Sequence, residues 1–231
     1  MKAQILLTPA GAKHLIGKAL SKNLDLTKRI YIAYGSTNIY LLYHLGIEVN
    51  NYIAGCNYKH ILNVNENRPK PIVLENGKKI DIGEFDIKSE DIFVKGANAL
   101  WYEDKIKYAG VLAADKNGGT FGNFYIKAAV RGANIIIPVG HEKLIPFYYP
   151  ATQNVDFSMG SKVALLRFFN GVVYTEIEAF RDLFDLEANI IAAGGILDTQ
   201  GAVVFEVEGE KVKEAMDFAY RYNSLILESL L

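Results

Sequence analysis

The sequence predicts an α/β fold, a mostly parallel sheet flanked by helices, followed by a small α+β subdomain. Three observations carry this. Apolar runs such as "RIYIAY" (29–34), "DIFV" (91–94) and "NIIIPV" (134–139) are continuous rather than alternating, the pattern of strands buried on both faces of a parallel sheet. Helix-period segments separate them. Clusters of Gly, Ser, Thr and Asn close three apolar runs, and ligands of open α/β sheets bind outside the carboxyl ends of strands.

In chain order, "AQILLT" is a short apolar run closed by Thr8-Pro9. Pro9 suits a first helical turn, where its missing N–H would be unpaired anyway. Ala12, Leu15, Ile16, Ala19 and Leu20 recur at three- and four-residue spacing, so 10–20 is a helix. "RIYIAYG" is a buried strand, and "STNIYLLYHLG" a helix with Ser36 or Thr37 as N-cap and Gly46 as its stop. "PIVLENGKKIDI" reads as a β-hairpin, because Asn76-Gly77 supplies the positive φ angles of a two-residue turn. "DIFVKGANAL" repeats the strand-then-loop pattern, and "AGVLAA" is a further strand. Phe121 to Arg131 is helical and stopped by Gly132, and "NIIIPVG" is the most strand-like segment.

Beyond "YYPATQ" the texture changes. "SKVALLRFF" reads as a strand, Thr175 and Glu178 as a capping box opening a helix, "ANIIAAGGI" and "GAVVFEVEG" as strands, and the last 22 residues as a helix. This divides the chain into an α/β ligand-binding domain, 1–159, and a small α+β, ferredoxin-like subdomain, 160–231.

The chain has 231 residues, 50% hydrophobic and 22% charged, with a net charge of −1, enough for a substantial core. Lys and Arg are scattered, so no basic stripe supports nucleic-acid binding. Cys56 is the sole cysteine, which excludes an intrachain disulfide, and without a Cys-X-X-Cys partner it reads as a buried inert thiol. No apolar stretch approaches the roughly 20 residues of a membrane span, and the opening segment is too short for a signal-peptide core. The expectation is a cytoplasmic protein without membrane contact. The 14 Tyr and 12 Phe read as core and interface material, consistent with a homo-oligomer.

The loop clusters are the candidate site. At Gly35, Ser36, Thr37 and Asn38, backbone N–H groups and two hydroxyls would hold an anion at the positive end of a helix; the plain alternative is a strand-to-helix turn. Lys95, followed by Gly96 and Asn98, ends an apolar strand facing the presumed cleft. Lys116, Asn117, Gly118, Gly119 and Thr120 form the third cluster. Lys116 and Lys143 could each neutralise a phosphate or carboxylate, or simply meet water. Glu103, Asp104 and Asp115 are the carboxylates nearest these loops in sequence, and His141 follows a strand end. His14, His44, His60 and His141 lack metal-ligand spacing, so no metal or cofactor is expected.

With these loops in place the chain resembles the superfamily of ribose-5-phosphate isomerase, glucosamine-6-phosphate deaminase and CoA transferases, over roughly residues 10–146. The isomerase's phosphate loop, Gly-Thr-Gly-Ser-Thr, corresponds to Ala33-Tyr34-Gly35-Ser36-Thr37. Its Asp-Gly-Ala-Asp block corresponds to Lys95-Gly96-Ala97-Asn98, with both carboxylates gone. Its Lys-Gly-Gly-Gly block resembles Lys116-Asn117-Gly118-Gly119, and Lys143 matches a later strand-end lysine. The isomerase's general base, a glutamate nine residues after the first lysine, is here Tyr125, whose ordinary pKa near ~10 suits it poorly to that role. The resemblance implies the fold and a pocket for a small anionic metabolite, a sugar phosphate or an acyl-CoA-like compound, and argues against that isomerase activity. The expected function is binding of such a metabolite, with enzymatic action on it; the alternative is a non-catalytic ligand-binding or sensor protein of the same fold.

Overall fold

The computed structural model describes residues 1–48, 57–58, 60–63 and 70–227. Cys56 lies outside the described residues.

A six-stranded sheet forms the centre. Its strands are β2 (Ile30–Ile32), β5 (Ile72–Glu75), β6 (Lys78–Ile80), β7 (Ile92–Val94), β10 (Asn134–Pro138) and β12 (Val172–Tyr174), in the spatial order β12-β10-β7-β2-β5-β6. The first four of that order are parallel. β5 and β6 add an antiparallel edge, turned by Asn76 and Gly77 at φ 49° and 71°, as the two-residue turn requires.

Alternate residues of the parallel strands enter different cores. Ile30, Ile32, Ile92 and Val94 pack with α1 (Pro9–Asn23), α2 (Ser36–His44) and α4 (Glu176–Phe184). Tyr31, Phe93, Ile135 and Ile137 face the opposite core with Phe121, Tyr125 and Ala128. The latter come from a π-helical turn, Phe121–Tyr125, continued by α3 (Ile126–Arg131), which Gly132 ends in the left-handed region at φ 75°.

Two three-stranded antiparallel sheets flank this centre. One comprises β8 (Ala99–Glu103), β9 (Ile106–Ala113) and β11 (Ala164–Arg167), in the order β11-β9-β8. The other pairs β1 (Lys2–Leu7) with β14 (Ala202–Glu208), and β14 with β13 (Glu187–Gly194). A two-residue pair, β3 (Asn57–Tyr58) with β4 (Ile61–Leu62), completes the strands, and α5 (Val212–Tyr222) the helices, among the described residues.

The sheets are thus mixed or antiparallel, which corrects the expectation of a mostly parallel arrangement. "AGVLAA" is a strand, but it belongs to the β8–β9 hairpin. Asp104 and Lys105 both take positive φ, 47° and 68°, so "YEDK" is a tight turn rather than an open loop. Of residues 160–231, β12 joins the central sheet, β11 joins β9, and β14 pairs with the opening strand β1.

The helix ends fix what matters for the site. Thr8 caps α1, its Oγ1 accepting from Gly11 N at 3.1 Å and donating to Asn223 O at 2.6 Å. Gly17 brings α1 against the backbone of α2 at Tyr40 and Leu41. The N-cap of α2 is Gly35, not Ser36 or Thr37, which lie within the first turn, and no side chain caps it. The first N–H groups of a helix have no intrahelical partner. None of the described helices is long and apolar enough to cross a membrane.

Candidate functional site

Four parallel strands end on the same edge. The segments leaving them are Gly35–Asn38 after β2, Lys95–Gly96 after β7, Gly140–Lys143 after β10 and Thr175–Glu178 after β12. Carboxyl edges of this kind collect loops around a ligand crevice.

Asn38, 1% exposed, ties the first two segments together: its Nδ2 donates to Ala33 O at 2.7 Å and to Val94 O at 3.2 Å. Two carbonyl acceptors fix which way the amide faces. Its Oδ1 is left buried with no hydrogen-bond partner. Gly96 sits beside it: a Cβ there would lie 4.0 Å from that Oδ1, 3.9 Å from Thr37 Cβ and 3.6 Å from Pro138 O. The start of α2 and the end of β10 therefore meet at Gly96, in the segment after β7.

Lys143, in the short 3-10 turn His141–Lys143, reaches back to the first turn of α2. Its Nζ donates to Thr37 Oγ1 at 3.4 Å. Burial pushes the Lys143 ammonium below the ordinary lysine range; Glu142 opposes that shift and the nearby Lys13 ammonium reinforces it. Lys95, only 7% exposed, donates to Gly96 O at 3.3 Å.

Three carboxylates share this edge. Glu176, the first residue of α4, is fully buried; its oxygens accept from His141 N at 3.0 and 3.2 Å and sit 2.6 Å from His141 Nδ1. Donation from Nδ1 leaves Nε2 to accept from the Tyr102 hydroxyl at 2.8 Å. Burial, with Glu178 and Glu176 nearby, pushes the Tyr102 phenol up to about 12. Glu178 in turn accepts from Thr175 N at 2.9 Å and pairs with Lys107. The third carboxylate is Glu142, 10% exposed, with Lys143 Nζ 3.6 Å from its Oε1. Neither Glu142 oxygen has a hydrogen-bond partner.

No family model, no curated protein and no solved structure matches the chain.

Of the residues singled out in the sequence, Gly35, Ser36, Thr37, Asn38, Lys95, Gly96 and Lys143 occupy this edge. Asn98 serves the neighbouring sheet, its Oδ1 accepting from Leu112 N at 3.0 Å. Lys116, Asn117, Gly118, Gly119 and Thr120 follow β9 of the antiparallel sheet. Asp115 Oδ1 organises that turn, accepting from Asn117 N at 2.7 Å and Gly119 N at 3.2 Å, and Gly118 lies against Leu166. Lys116 and Asn117 are exposed.

Glu103 accepts from Trp101 Nε1 at 2.8 Å and pairs with Arg167, and Asp104 forms the hairpin turn. The carboxylates nearest the loops in sequence are thus engaged with their own hairpin and turn. Tyr125 is a fully buried anchor: its hydroxyl accepts from Phe169 N and Asn170 N, each at 2.9 Å, and donates to Asn170 O at 3.1 Å.

Sequence reasoning did not single out Glu142 and Glu176. The signal for Glu142 was available in "PVGHEK", a charged triplet directly after the most apolar strand. Glu176 stood inside the capping box, where a carboxylate is ordinary. Among the described residues, no group of three or more His, Cys, Asp or Glu side chains is placed to hold a metal ion.

Proposed function

We propose that the protein binds a small anionic metabolite, a sugar phosphate being the leading class, between the first turn of α2 and Lys143. The observation that carries this is the Lys143 ammonium, 3.4 Å from Thr37 Oγ1 beside a helix start that no side chain caps. The positive charge of Lys13 adds to burial in lowering the Lys143 pKa. An anion beside Lys143 would offset that repulsion and accept from the Ser36 and Thr37 N–H groups at the start of α2. The resemblance supports the same placement, since the isomerase's phosphate loop corresponds to the segment ending at Thr37 and its later lysine to Lys143.

Action on the bound metabolite is the leading reading; the second is a non-catalytic sensor. The second is favoured by Tyr125, which stands where the isomerase has its general base and whose hydroxyl is wholly engaged with the 169–170 backbone.

The test is a thermal-shift panel of sugar phosphates, nucleotides, CoA esters and simple anions. Ligand at a hundred times its Kd adds about 2.7 kcal/mol of stability, roughly 5–10 °C for a chain of this size. Gly35→Trp, at a position with no atom within 4 Å of an added Cβ, and Lys143→Met are each expected to abolish the response. No response to any compound would refute the reading.

A further inference from the structure

The geometry points to a nucleophilic site for acyl transfer: Tyr102 attacks an uncharged carboxylic ester, His141 takes the phenol proton, and Glu176 orients His141. This chemistry is independent of the anion reading above, and no phosphorylated compound enters its test.

A hydroxyl within hydrogen-bond reach of a base, with that base oriented by a third group, is the arrangement that activates a nucleophile. Tyr102 Oη stands 2.8 Å from His141 Nε2, and His141 Nδ1 stands 2.6 Å from Glu176 Oε2. Glu176 also accepts from His141 N at 3.0 and 3.2 Å, so donors hold both of its oxygens. The chain just after His141 is tied to the strand that carries Tyr102, because Ile145 N donates to Leu100 O at 2.8 Å. Glu176 and His141 are buried, whereas Tyr102 is 37% exposed, so of the three it alone reaches solvent.

Burial, with the Glu178 and Glu176 carboxylates nearby, pushes the Tyr102 phenol up to about 12 from the ordinary 10.0. A standing phenolate is therefore scarce at neutral pH. The proton must pass to His141 Nε2 as the new bond forms, as it does from a serine hydroxyl in a triad. Both carboxylates disfavour negative charge at this hydroxyl, so an uncharged electrophile suits the site and a phosphate does not. Lys107, paired with Glu178 and directly across from Tyr102 in the β8–β9 register, is a cation on the same face. In the first step Tyr102 Oη bonds to the ester carbonyl carbon, and the alkoxy group leaves with the proton that His141 returns. In the second, water gives a proton to Nε2 and bonds to the acyl carbon. The Tyr102 oxygen leaves and recovers that proton, releasing a carboxylic acid.

The probe is 4-nitrophenyl acetate, with acetylated tyrosines mapped by mass spectrometry. Tyr149 and Tyr220, both more exposed than Tyr102, are the internal standards. A half-buried phenol that holds its proton this firmly would ordinarily react more slowly than either. Tyr102 is expected to react at least about tenfold faster, with a rate that levels off below pH 10. Reaction through a free phenolate would instead climb about tenfold per pH unit toward 12. His141→Gln and Glu176→Gln are each expected to slow acetylation of Tyr102 by about a hundredfold or more, with Tyr149 and Tyr220 unchanged. The wild-type pH profile carries the test if either variant does not fold. Acetylation of Tyr102 no faster than that of Tyr220, a rate still climbing above pH 10, or an undiminished rate in His141→Gln overturns the inference.

Discussion

Gly17→Ala is a demanding test of how α2 is held, and hence of where its first turn points. A methyl group at residue 17 would meet the α2 backbone at 2.6 Å from Tyr40 C, 2.7 Å from Leu41 N and 2.8 Å from Tyr40 O. Ordinary carbon contacts begin near ~3.5 Å, and backbone atoms cannot swing aside as a side chain can. The two helices must part by nearly an ångström. Overpacking of this kind costs about 1–3 kcal/mol. The higher helix propensity of alanine returns about 1 kcal/mol. The upper half of the overpacking range applies, because the obstruction is backbone on a second helix, leaving a net loss of about 1–2 kcal/mol. For a chain this long that is a fall of roughly 2–8 °C in Tm. Thermal unfolding followed by circular dichroism reads it directly. Gly35→Ala is the internal control, being at an extended φ of 167° with nothing within 4 Å, and is expected to change stability by less than about 0.5 kcal/mol. An unchanged or higher Tm for Gly17→Ala would show that the helices do not cross at Gly17.

Other expectations concern buried polar groups. Glu176→Ala leaves His141 N and Nδ1 facing an empty space and should cost about 3–5 kcal/mol in urea unfolding, the range for breaking a buried pair; a loss below 1 kcal/mol would mean water replaces the carboxylate. Tyr125→Phe strands Phe169 N and Asn170 N and should cost about 2–3 kcal/mol in the same measurement. Burial, helped by His14, Lys18 and Arg221, lowers the His44 pKa to about 3 from 6.5. The unfolded chain therefore binds the extra proton between those values, and stability should fall as pH drops from 6.5 toward 3. His44→Gln should flatten that limb of the denaturation-midpoint profile. The Tyr102 phenol moves the other way, its folded pKa of about 12 lying above the ordinary 10.0. Its contribution is intact below pH 10 and lost as pH rises toward 12, so Tyr102→Phe should remove part of the alkaline decline.

How far the sequence revealed this molecule depended on the range of the forces involved. Local signals carried well. Thr8-Pro9 opens α1, Asn76-Gly77 turns β5 into β6, Gly132 ends α3, and Glu178 reaches back to Thr175, all within a few residues of chain. Continuous apolar runs identified β2, β7 and β10 because both faces of those strands are covered. Strand partnership is non-local, and there the reading diverged. "AGVLAA" has the same texture as the parallel strands, yet Asp104-Lys105, a weaker turn signal than Asn-Gly, folds it back on β8. Asn117–Thr120 therefore follows a strand of the β11-β9-β8 antiparallel sheet. The candidate site was legible to the extent that Gly35–Asn38, Gly96 and Lys143 follow parallel strands and share one sheet edge. The contact of Glu176 with His141 depends on β10 and β12 lying side by side, which no local pattern announces.

The most direct measurement is the position of a bound tetrahedral oxyanion in a crystal grown with tungstate, located by its anomalous scattering. A single strong peak is expected within contact distance of Thr37 Oγ1, Lys143 Nζ and the Ser36 and Thr37 N–H groups, and is expected to be lost in Lys143→Met. A peak confined to the turn at Lys116–Thr120, or to surface lysines elsewhere, would contradict the claim that the carboxyl edge of β2, β7 and β10 is the binding site.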